Sequence, residues 1–202
     1  MTDPTGLLEW GIQFHGHKCP AMPLGIRAGL EACANLNVPR SRNKKLHVIA
    51  ETGKGHAAGC CLDGVMIATG CTYGKSNIEK LYYNKMAFTL IDVASGHRVR
   101  LALKPDFFEN ALQSRFVQQR KAGVPPQDIP AEVVDLLIER IMGLDASEFL
   151  AVESLPDEVP PVRKGLFDTA RCARCGEVVF VDKLRVLADK RLACVPCSGY
   201  DS

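Results

Sequence analysis

Residues 86–104 read MAFTLIDVASGHRVRLALK, in which two apolar runs flank the Ser95-Gly96 pair. Apolar runs of this length on either side of a glycine-containing turn predict a β-hairpin, with strands over 86–93 and 97–104. Helical patterns lie on both sides of this hairpin, and the sequence does not show the regular alternation of one strand with one helix that is typical of parallel α/β folds. This arrangement is typical of a mixed α+β domain built from helices and an antiparallel sheet.

The elements around the hairpin follow from apolar spacing and end signals. We predict a strand over 46–51, together with helices over 5–14, 19–35, 59–69 and 130–142 and from Asp106 onward. In the last of these, Asp106 and Glu109 resemble a capping box, and Phe108, Leu112 and Phe116 recur at helical spacing, which predicts core packing. Gly25 and Gly29 lie one turn apart, so another backbone can approach that helix closely.

Length and composition give the domain organisation. The chain has 202 residues, 47% of them hydrophobic and 24% charged, which excludes a disordered protein and is sufficient for one domain plus an appendage. A proline-rich stretch separates the two, so we predict a core domain over 1–152, a linker over 153–168 and an appendage over 169–202. The appendage is too short to bury a sufficient hydrophobic core, so it needs a stabilising cross-link such as a metal ion or disulfides.

The net charge and the hydropathy of the chain bear on which classes of partner it can bind. The formal net charge of +2 gives no argument from bulk charge for nucleic acid or membrane as a partner. Residues 1–10 have neither a basic region nor an apolar run of the kind found in signal peptides, and no apolar run approaches the roughly 18 residues of a membrane span. We therefore expect a cytoplasmic protein that does not bind membranes.

Four cysteines can supply the cross-link that the appendage needs. The chain has 9 cysteines, and the appendage contains two Cys-x-x-Cys pairs, Cys172/Cys175 and Cys194/Cys197, with 18 residues between them. Such pairs supply four thiolates for a tetrahedral structural zinc ion, and the alternative of two disulfides fits a cytoplasmic protein poorly. Four protein ligands leave no open position, so this zinc is not catalytic. The charge of the finger is too small to favour nucleic acid, and we expect a structural or docking module.

A second candidate metal site lies near the N-terminus. His17 and Cys19 are two residues apart, with His15 another two upstream, and Cys19 and Cys60 both lie near a predicted helix start. A helix N-terminus favours the thiolate form of cysteine. His17, Cys19 and Cys60 would give a three-ligand metal centre with one open position, as in catalytic zinc sites. The alternative, equally compatible with the spacing, is a turn histidine and two small core cysteines.

Four further side chains are catalytic candidates. Cys71 lies eleven residues after Cys60, roughly 16 Å along an unbroken helix, so the two cannot share a metal unless the helix breaks or a second subunit intervenes. The polar loop around Cys71 has two glycines and can bind a small anion, although it is not a P-loop. If the protein is an enzyme, Asp63 would transfer protons, and Thr72 and Lys75 would hold an anionic substrate. Cys71 is the fourth catalytic candidate.

Three ordered motifs carry a resemblance to a known family. The chain resembles the FmdE family, named for a component of formylmethanofuran dehydrogenase, over nearly its whole length. The motifs are Phe14-His15-Gly16-His17-Lys18-Cys19-Pro20 with Gly25, then Cys60-x-x-Asp63, then Thr69-Gly70-Cys71-Thr72-x-Gly74-Lys75-x-Asn77, followed by Asn84-Lys85. One position departs from the pattern, because Asn84 stands where relatives commonly carry glycine.

The resemblance implies an α+β core, a C-terminal treble-clef zinc finger, a tendency to dimerise and a metal site at the His-x-Cys motif. It also implies association with the tungsten or molybdenum enzyme that reduces CO₂ onto methanofuran in methanogens, and it implies no reaction for this component itself. The leading hypothesis is thus a zinc-binding accessory or metal-handling subunit of that dehydrogenase or of a similar redox complex. The alternatives are a stand-alone metalloenzyme and, least favoured, a zinc-finger nucleic-acid binder.

Overall fold

The protein folds into two compact units, divided at Pro160 and Pro161. The computed structural model describes residues 4–160 and 165–200. The α+β prediction is confirmed for the first unit, whose elements are α1 Pro4–His15, α2 Ala21–Asn35, β1 Leu46–Ala50, α3 His56–Thr69, β2 Ile78–Lys80, β3 Ala87–Asp92, β4 Arg98–Leu103, α4 Pro105–Ala111, α5 Arg115–Lys121, α6 Ala131–Gly143, α7 Ala146–Phe149 and β5 Leu150–Leu155. None of the helices in the described residues is long and apolar enough to cross a membrane.

A five-stranded sheet with the order β2-β1-β3-β4-β5 forms the base of the first unit. The predicted hairpin supplies β3 and β4, which pair with Leu90 opposite Val99, and its turn residue Gly96 has a positive φ of 79°. All neighbouring pairs are antiparallel except β1 and β2, which are parallel. Strand β3 is central in the sheet and is almost entirely buried.

Helices α2 and α3 cross at very close range, as the glycine spacing predicts. A Cβ atom on Gly25 would lie 1.9 Å from the Cys61 carbonyl oxygen, and one on Gly64 would lie 2.1 Å from the Met22 carbonyl oxygen. Only glycine can occupy such positions, because any side chain would force the backbones apart. The glycines therefore fix the start of α2 against the first turns of α3.

The prediction of one continuous helix from Asp106 was wrong. The chain forms two seven-residue helices, α4 and α5, because Ser114 begins a new helix by accepting a hydrogen bond from the Val117 N–H group. The residues Asp106 and Glu109 do not cap α4, whose N-cap is Lys104 without a side-chain cap. Of the side chains expected in the core, Phe116 is buried, whereas Leu112 is 36% exposed.

The proline-rich segment begins later than its composition indicates. Residues 153–155 belong to β5, which extends the ladder of β4 as far as the pair Arg98 and Leu155. The Glu158 N–H group donates to the Gly96 carbonyl oxygen at 2.9 Å, so the chain remains attached to the sheet beyond the strand. The sequence missed this strand because its prolines and charges, typical of a linker, lie directly after it.

The second unit is small and contains two hairpins and a short helix. Its elements are β6 Thr169–Arg171, β7 Val178–Phe180, β8 Leu184–Val186, β9 Leu192–Cys194 and α8 Val195–Ser198. Among the residues that the structure describes in this unit, Cys172, Ala193 and Cys194 form the buried core, and Val179, Leu187 and Cys197 pack against it partly buried. A core of three side chains cannot stabilise a unit of this size by apolar burial alone, so a cross-link is required.

Candidate metal centres

The first candidate centre brings together donor atoms from three places in the chain. His15 ends α1, His17 and Cys19 lie in the loop before α2, and Cys60 lies in the second turn of α3. One donor atom from each of the four lies within 4.8 Å of the others. The close crossing of α2 and α3 explains why Cys60 meets a motif 41 positions earlier in the chain.

The geometry around His15 is that of a metal ligand with an orienting partner. Its Nε2 atom lies 3.6 Å from Cys19 Sγ, and its Nδ1 atom lies 2.8 Å from Asp63 Oδ2. In a tetrahedral zinc site with ordinary bond lengths, a bound nitrogen and sulfur are about 3.6 Å apart. A carboxylate on the far ring nitrogen fixes the tautomer that leaves Nε2 available to a metal. Asp63 thus lies behind a candidate ligand, where it orients the imidazole.

The electrostatics of the centre favour a thiolate on Cys19. The neighbouring Cys60 thiol, His15 and the Met22 N–H group all stabilise the anion and lower the pKa of Cys19 to about 4. The pKa of His15 rises to about 9, mainly through its hydrogen bond to Cys19, with Asp63 adding to the effect. The adjacent Cys19 anion and burial raise the pKa of Cys60. Both sulfurs are buried, so a cation bound there would be shielded from water.

The structure gathers four donors where the sequence predicted three. The sequence did not identify His15 as a ligand because only its spacing, two residues before His17, marked it. Two imidazoles and two thiolates are a donor set suited to zinc, and four of them complete a tetrahedral shell without an open position. The cluster therefore fits a tightly held metal ion, which would accept an additional ligand only by expanding its coordination.

The loop after α3 lies apart from this cluster. Cys71 is fully buried within the core cluster of the sheet, which does not include Cys19 or Cys60. The Thr72 side chain caps the short turn that follows by accepting a hydrogen bond from the Lys75 N–H group. The Lys75 ammonium donates to the Gly70 carbonyl oxygen. These contacts give the Thr72 and Lys75 side chains a structural role within the loop, and the Cys71 side chain packs in the core.

A large cavity of about 670 Å³ reaches two of the four donors. Helices α4, α5 and α6 form most of its wall, and Cys19 and Cys60 form part of its lining. The other two donors, His15 and His17, do not line it. A metal ion held by the cluster would face this cavity through its two sulfurs.

The second candidate centre is the set of four cysteines in the second unit. The sulfur atoms of Cys172, Cys175, Cys194 and Cys197 all lie within 4.8 Å of one another. Cys175 and Cys194 are separated by 3.9 Å between Sγ atoms, which matches the roughly 3.8 Å edge of a tetrahedral zinc–thiolate site. The spacing and the fold of the unit therefore fit a structural metal ion.

Backbone N–H groups around Cys172 show that the site is prepared for an anionic sulfur. The N–H groups of Arg174 and Cys194 donate to Cys172 Sγ at 3.5 and 3.3 Å. Donation from the backbone, with Cys175 contributing most, lowers the pKa of Cys172 to about 6. Gly176 follows the first pair with a positive φ of 77°, which permits the tight turn that aims these groups at sulfur.

The position that departs from the family pattern retains the backbone shape of glycine. Asn84 has a positive φ of 58°, a conformation that asparagine adopts more readily than most other residues. Its side chain lies against Gly53, where an added Cβ would be 1.3 Å from Asn84 Oδ1. The loop therefore accommodates the substitution by pairing Asn84 with a glycine on the facing segment.

Comparison with known proteins agrees with this fold. The chain is 27% identical over 207 residues to a probable S-adenosyl-L-methionine-binding protein of Archaeoglobus fulgidus, with 96% of this chain and 53% of the relative covered. It thus spans about half the length of that curated relative. A crystal structure of a tungsten formylmethanofuran dehydrogenase FmdE-like protein from Syntrophus aciditrophicus has the same fold, with a TM-score of 0.61 at 18% identity over 97% of this chain and 92% of that one.

A family model provides the assignment. The model described as FmdE, Molybdenum formylmethanofuran dehydrogenase operon, matches residues 14–151. This range begins one residue before His15 and ends within β5, so it contains all four donors of the first centre and the sheet that supports them. The chain belongs to the FmdE family.

Proposed function

We propose that the protein is a zinc-binding accessory subunit associated with a molybdenum or tungsten formylmethanofuran dehydrogenase or a similar redox complex. The observation that carries the proposal is the convergence of His15, His17, Cys19 and Cys60 from separate elements onto one point. Family membership supports the association with the dehydrogenase. In this proposal, the first centre holds a metal ion in the core and the four-cysteine unit holds a second, structural one.

The exposed apolar surface of the second unit supports a docking role. Eight of the 17 large hydrophobic side chains exposed in the described residues lie in this short unit. Phe167 is 87% exposed and Phe180 is 53% exposed. Exposed apolar side chains mark a protein interface when they form a contiguous patch. We propose that this surface contacts the partner complex, and that the protein forms a homodimer in the cytoplasm.

Metal content per chain tests the two centres separately. We expect two zinc ions in the wild type and one in Cys60→Ala, because removing one of two buried thiolates destroys the first site. Cys61→Ala is the matched control, since Cys61 is the neighbouring buried cysteine on the same helix and lies outside the donor cluster. A His17→Ala/Cys19→Ala double variant should behave like Cys60→Ala. Equal metal content in all four proteins would refute the first centre.

Co-expression with the catalytic subunits of a formylmethanofuran dehydrogenase tests the association. We expect the wild type to co-purify with the complex and a Phe167→Ser/Phe180→Ser variant to be lost from it, with metal content unchanged. The matched control is Tyr83→Ser, another exposed aromatic side chain, which lies in the first unit. Failure of the wild type to co-purify would refute the association, and sedimentation of the free protein would test the homodimer.

A stand-alone metalloenzyme is the second candidate, and the cavity beside Cys19 and Cys60 is the observation that favours it. A ligand in that cavity would lie next to a metal ion able to polarise a carbonyl or phosphoryl oxygen. Asp63 would act by orienting His15, as its hydrogen bond indicates. The name of the Archaeoglobus relative makes S-adenosyl-L-methionine one test ligand, and calorimetric titration of the zinc-loaded chain would show whether it binds.

A further inference from the structure

The cavity of the first unit has the size of a small-molecule site. Its volume of about 670 Å³ lies within the range of roughly 300–1,000 Å³ typical of ligand pockets. Aromatic and aliphatic side chains from three helices form its wall, among them Phe107 on α4, Phe116 on α5 and Leu137 on α6. An apolar body of the size of a ring system or a medium-length chain would bury part of its surface against this wall.

The charged groups that line the cavity all have one sign. They are Arg115, Arg120, Lys121 and Arg140, and no aspartate or glutamate is among the described residues that line it. Arg120 is held in place by donating to the Val124 carbonyl oxygen at 2.6 Å, whereas the other three are exposed. The chain as a whole has a net charge of only +2, so this concentration of cations is local. It favours ligands with negative charge.

The two features lie in one cavity together with the sulfur atoms of the first centre. Cys19 and Cys60 contribute to the same lining as the cations. A ligand can therefore contact apolar wall, cationic rim and the metal-binding cluster at the same time. The short break over 112–114, where α4 ends and α5 begins, places two polar residues, Gln113 and Ser114, on the lining as well.

We propose that this cavity binds an organic anion with an apolar body, a carboxylate, sulfonate or phosphate ester, and holds it against the metal centre. The proposal rests on the proposed function only for the contact with metal, since the apolar wall and the cations belong to the chain itself. Each of the three parts of the cavity would contact a different part of the ligand. The apolar body packs between the helices, the anionic group meets the arginines, and the remaining end lies beside the sulfurs.

Binding of 8-anilinonaphthalene-1-sulfonate, an aromatic sulfonate, by the full chain provides the first test. We expect saturable binding at one site per chain, weakened about tenfold in Arg115→Gln/Arg140→Gln, as the loss of two exposed charge contacts would give. Arg42→Gln is the matched control, because Arg42 is an exposed arginine of the same unit outside the cavity. An Ala111→Trp variant places an indole ring in the cavity without changing its charge and should weaken binding while leaving the melting temperature near that of the wild type.

The outcomes separate this inference from the proposed function. Equal affinity in the wild type, the double arginine variant and Ala111→Trp would overturn it, as would a probe that binds only by dissociating a dimer, since the groove would then be an interface between two copies. Cobalt substitution provides an independent measure of the metal, because thiolate-bound Co²⁺ has its own visible spectrum. Subtracting the spectrum of Cys60→Ala from that of the wild type isolates the first centre from the four-cysteine centre. A difference spectrum that shifts on probe binding supports contact at the metal. No difference spectrum with intact probe binding would refute the first metal centre and leave the cavity assignment standing.

Discussion

Replacing Gly25 by alanine should test the relation between the helix crossing and the metal centre. The new methyl carbon would lie 1.9 Å from the Cys61 carbonyl oxygen, whereas ordinary contacts begin at 3.4 Å. The two backbones must therefore separate locally by about 1.5 Å, the difference between these distances. The obstacle is a backbone carbonyl in a helix, so a side-chain rotation cannot relieve the clash.

The expected loss of stability follows from two opposing effects. Alanine in place of glycine favours a helix by about 1 kcal/mol. Overpacking of a tight core contact costs about 1–3 kcal/mol and more where backbone must move. We expect a net decrease of about 2 kcal/mol in the free energy of unfolding of the first unit. For a unit of this length, that corresponds to a decrease of roughly 4–8 °C in the melting temperature.

The metal centre should respond more sharply than the fold does. Ligand distances in metal sites are held within about 0.2 Å, so a separation of about 1.5 Å between the helices removes Cys60 from the reach of a metal bound at Cys19. We expect Gly25→Ala to carry one zinc ion per chain instead of two, measured by elemental analysis alongside a urea titration. Gly59→Ala is the matched control, because a Cβ there meets nothing within 4 Å although the residue adjoins Cys60. It should unfold at slightly higher urea concentration and keep both metals. A Gly25→Ala protein as stable as the wild type, with two metals, would refute the argument.

Three further changes test other parts of the molecule. Asp63→Asn should weaken metal binding at the first centre by about 10- to 100-fold, since it disturbs the partner that orients His15; competition with a chromogenic chelator measures this, and unchanged affinity would contradict it. Glu51→Gln should cost about 1–2 kcal/mol at neutral pH, because Arg100 hydrogen-bonds both carboxylate oxygens and, with Lys85, lowers the pKa of Glu51. A lowered pKa stabilises the fold above the unfolded-state pKa of about 4.3, so urea titrations should show the difference from wild type shrinking as pH falls below that value; a difference independent of pH would contradict the ion pair. Cys172→Ser should unfold residues 169–202 alone, seen as loss of their amide protection in hydrogen exchange, and melting of the first unit in the same variant would argue against two independent domains.

Local patterns were sufficient to predict most of the elements. The helices containing Gly25 and Cys60 and the hairpin around Gly96 occur close to their predicted positions, because each has a strong apolar period and a clear end signal. Strand β2 is only three residues long and was not predicted, since its pairing with β1 depends on a partner 30 positions away. Short edge strands of this kind are specified by tertiary contacts that a local pattern does not contain.

In the first metal centre, too, local sequence patterns predicted some of the donors, and contacts between distant residues determine the rest. His17 and Cys19 were recognised because they are near neighbours in sequence, and Cys60 because it lies near a helix start. The role of His15 depends on Asp63, which lies 48 positions away and is brought to Nδ1 by the packing of α1 and α3. The sequence could have indicated it only through the spacing of three donors at every second position from 15 to 19. That spacing places them near one another only if the chain leaves the helix after His15, as the positive φ of Gly16 at 85° allows.

The helix break beside the cavity could not be predicted from the apolar periodicity. Phe108, Leu112 and Phe116 have the spacing of one helix face, and a continuous helix would bury them together. Ser114 interrupts that helix by capping a new one, and Leu112 remains on the cavity lining instead of in the core. A serine within an apolar helical pattern is compatible both with an exposed position and with a cap, and only the surrounding packing decides between them. The break places Leu112, Ser114 and Arg115 on the lining of the cavity that also includes Cys19 and Cys60, so a ligand bound there would contact the turn between α4 and α5.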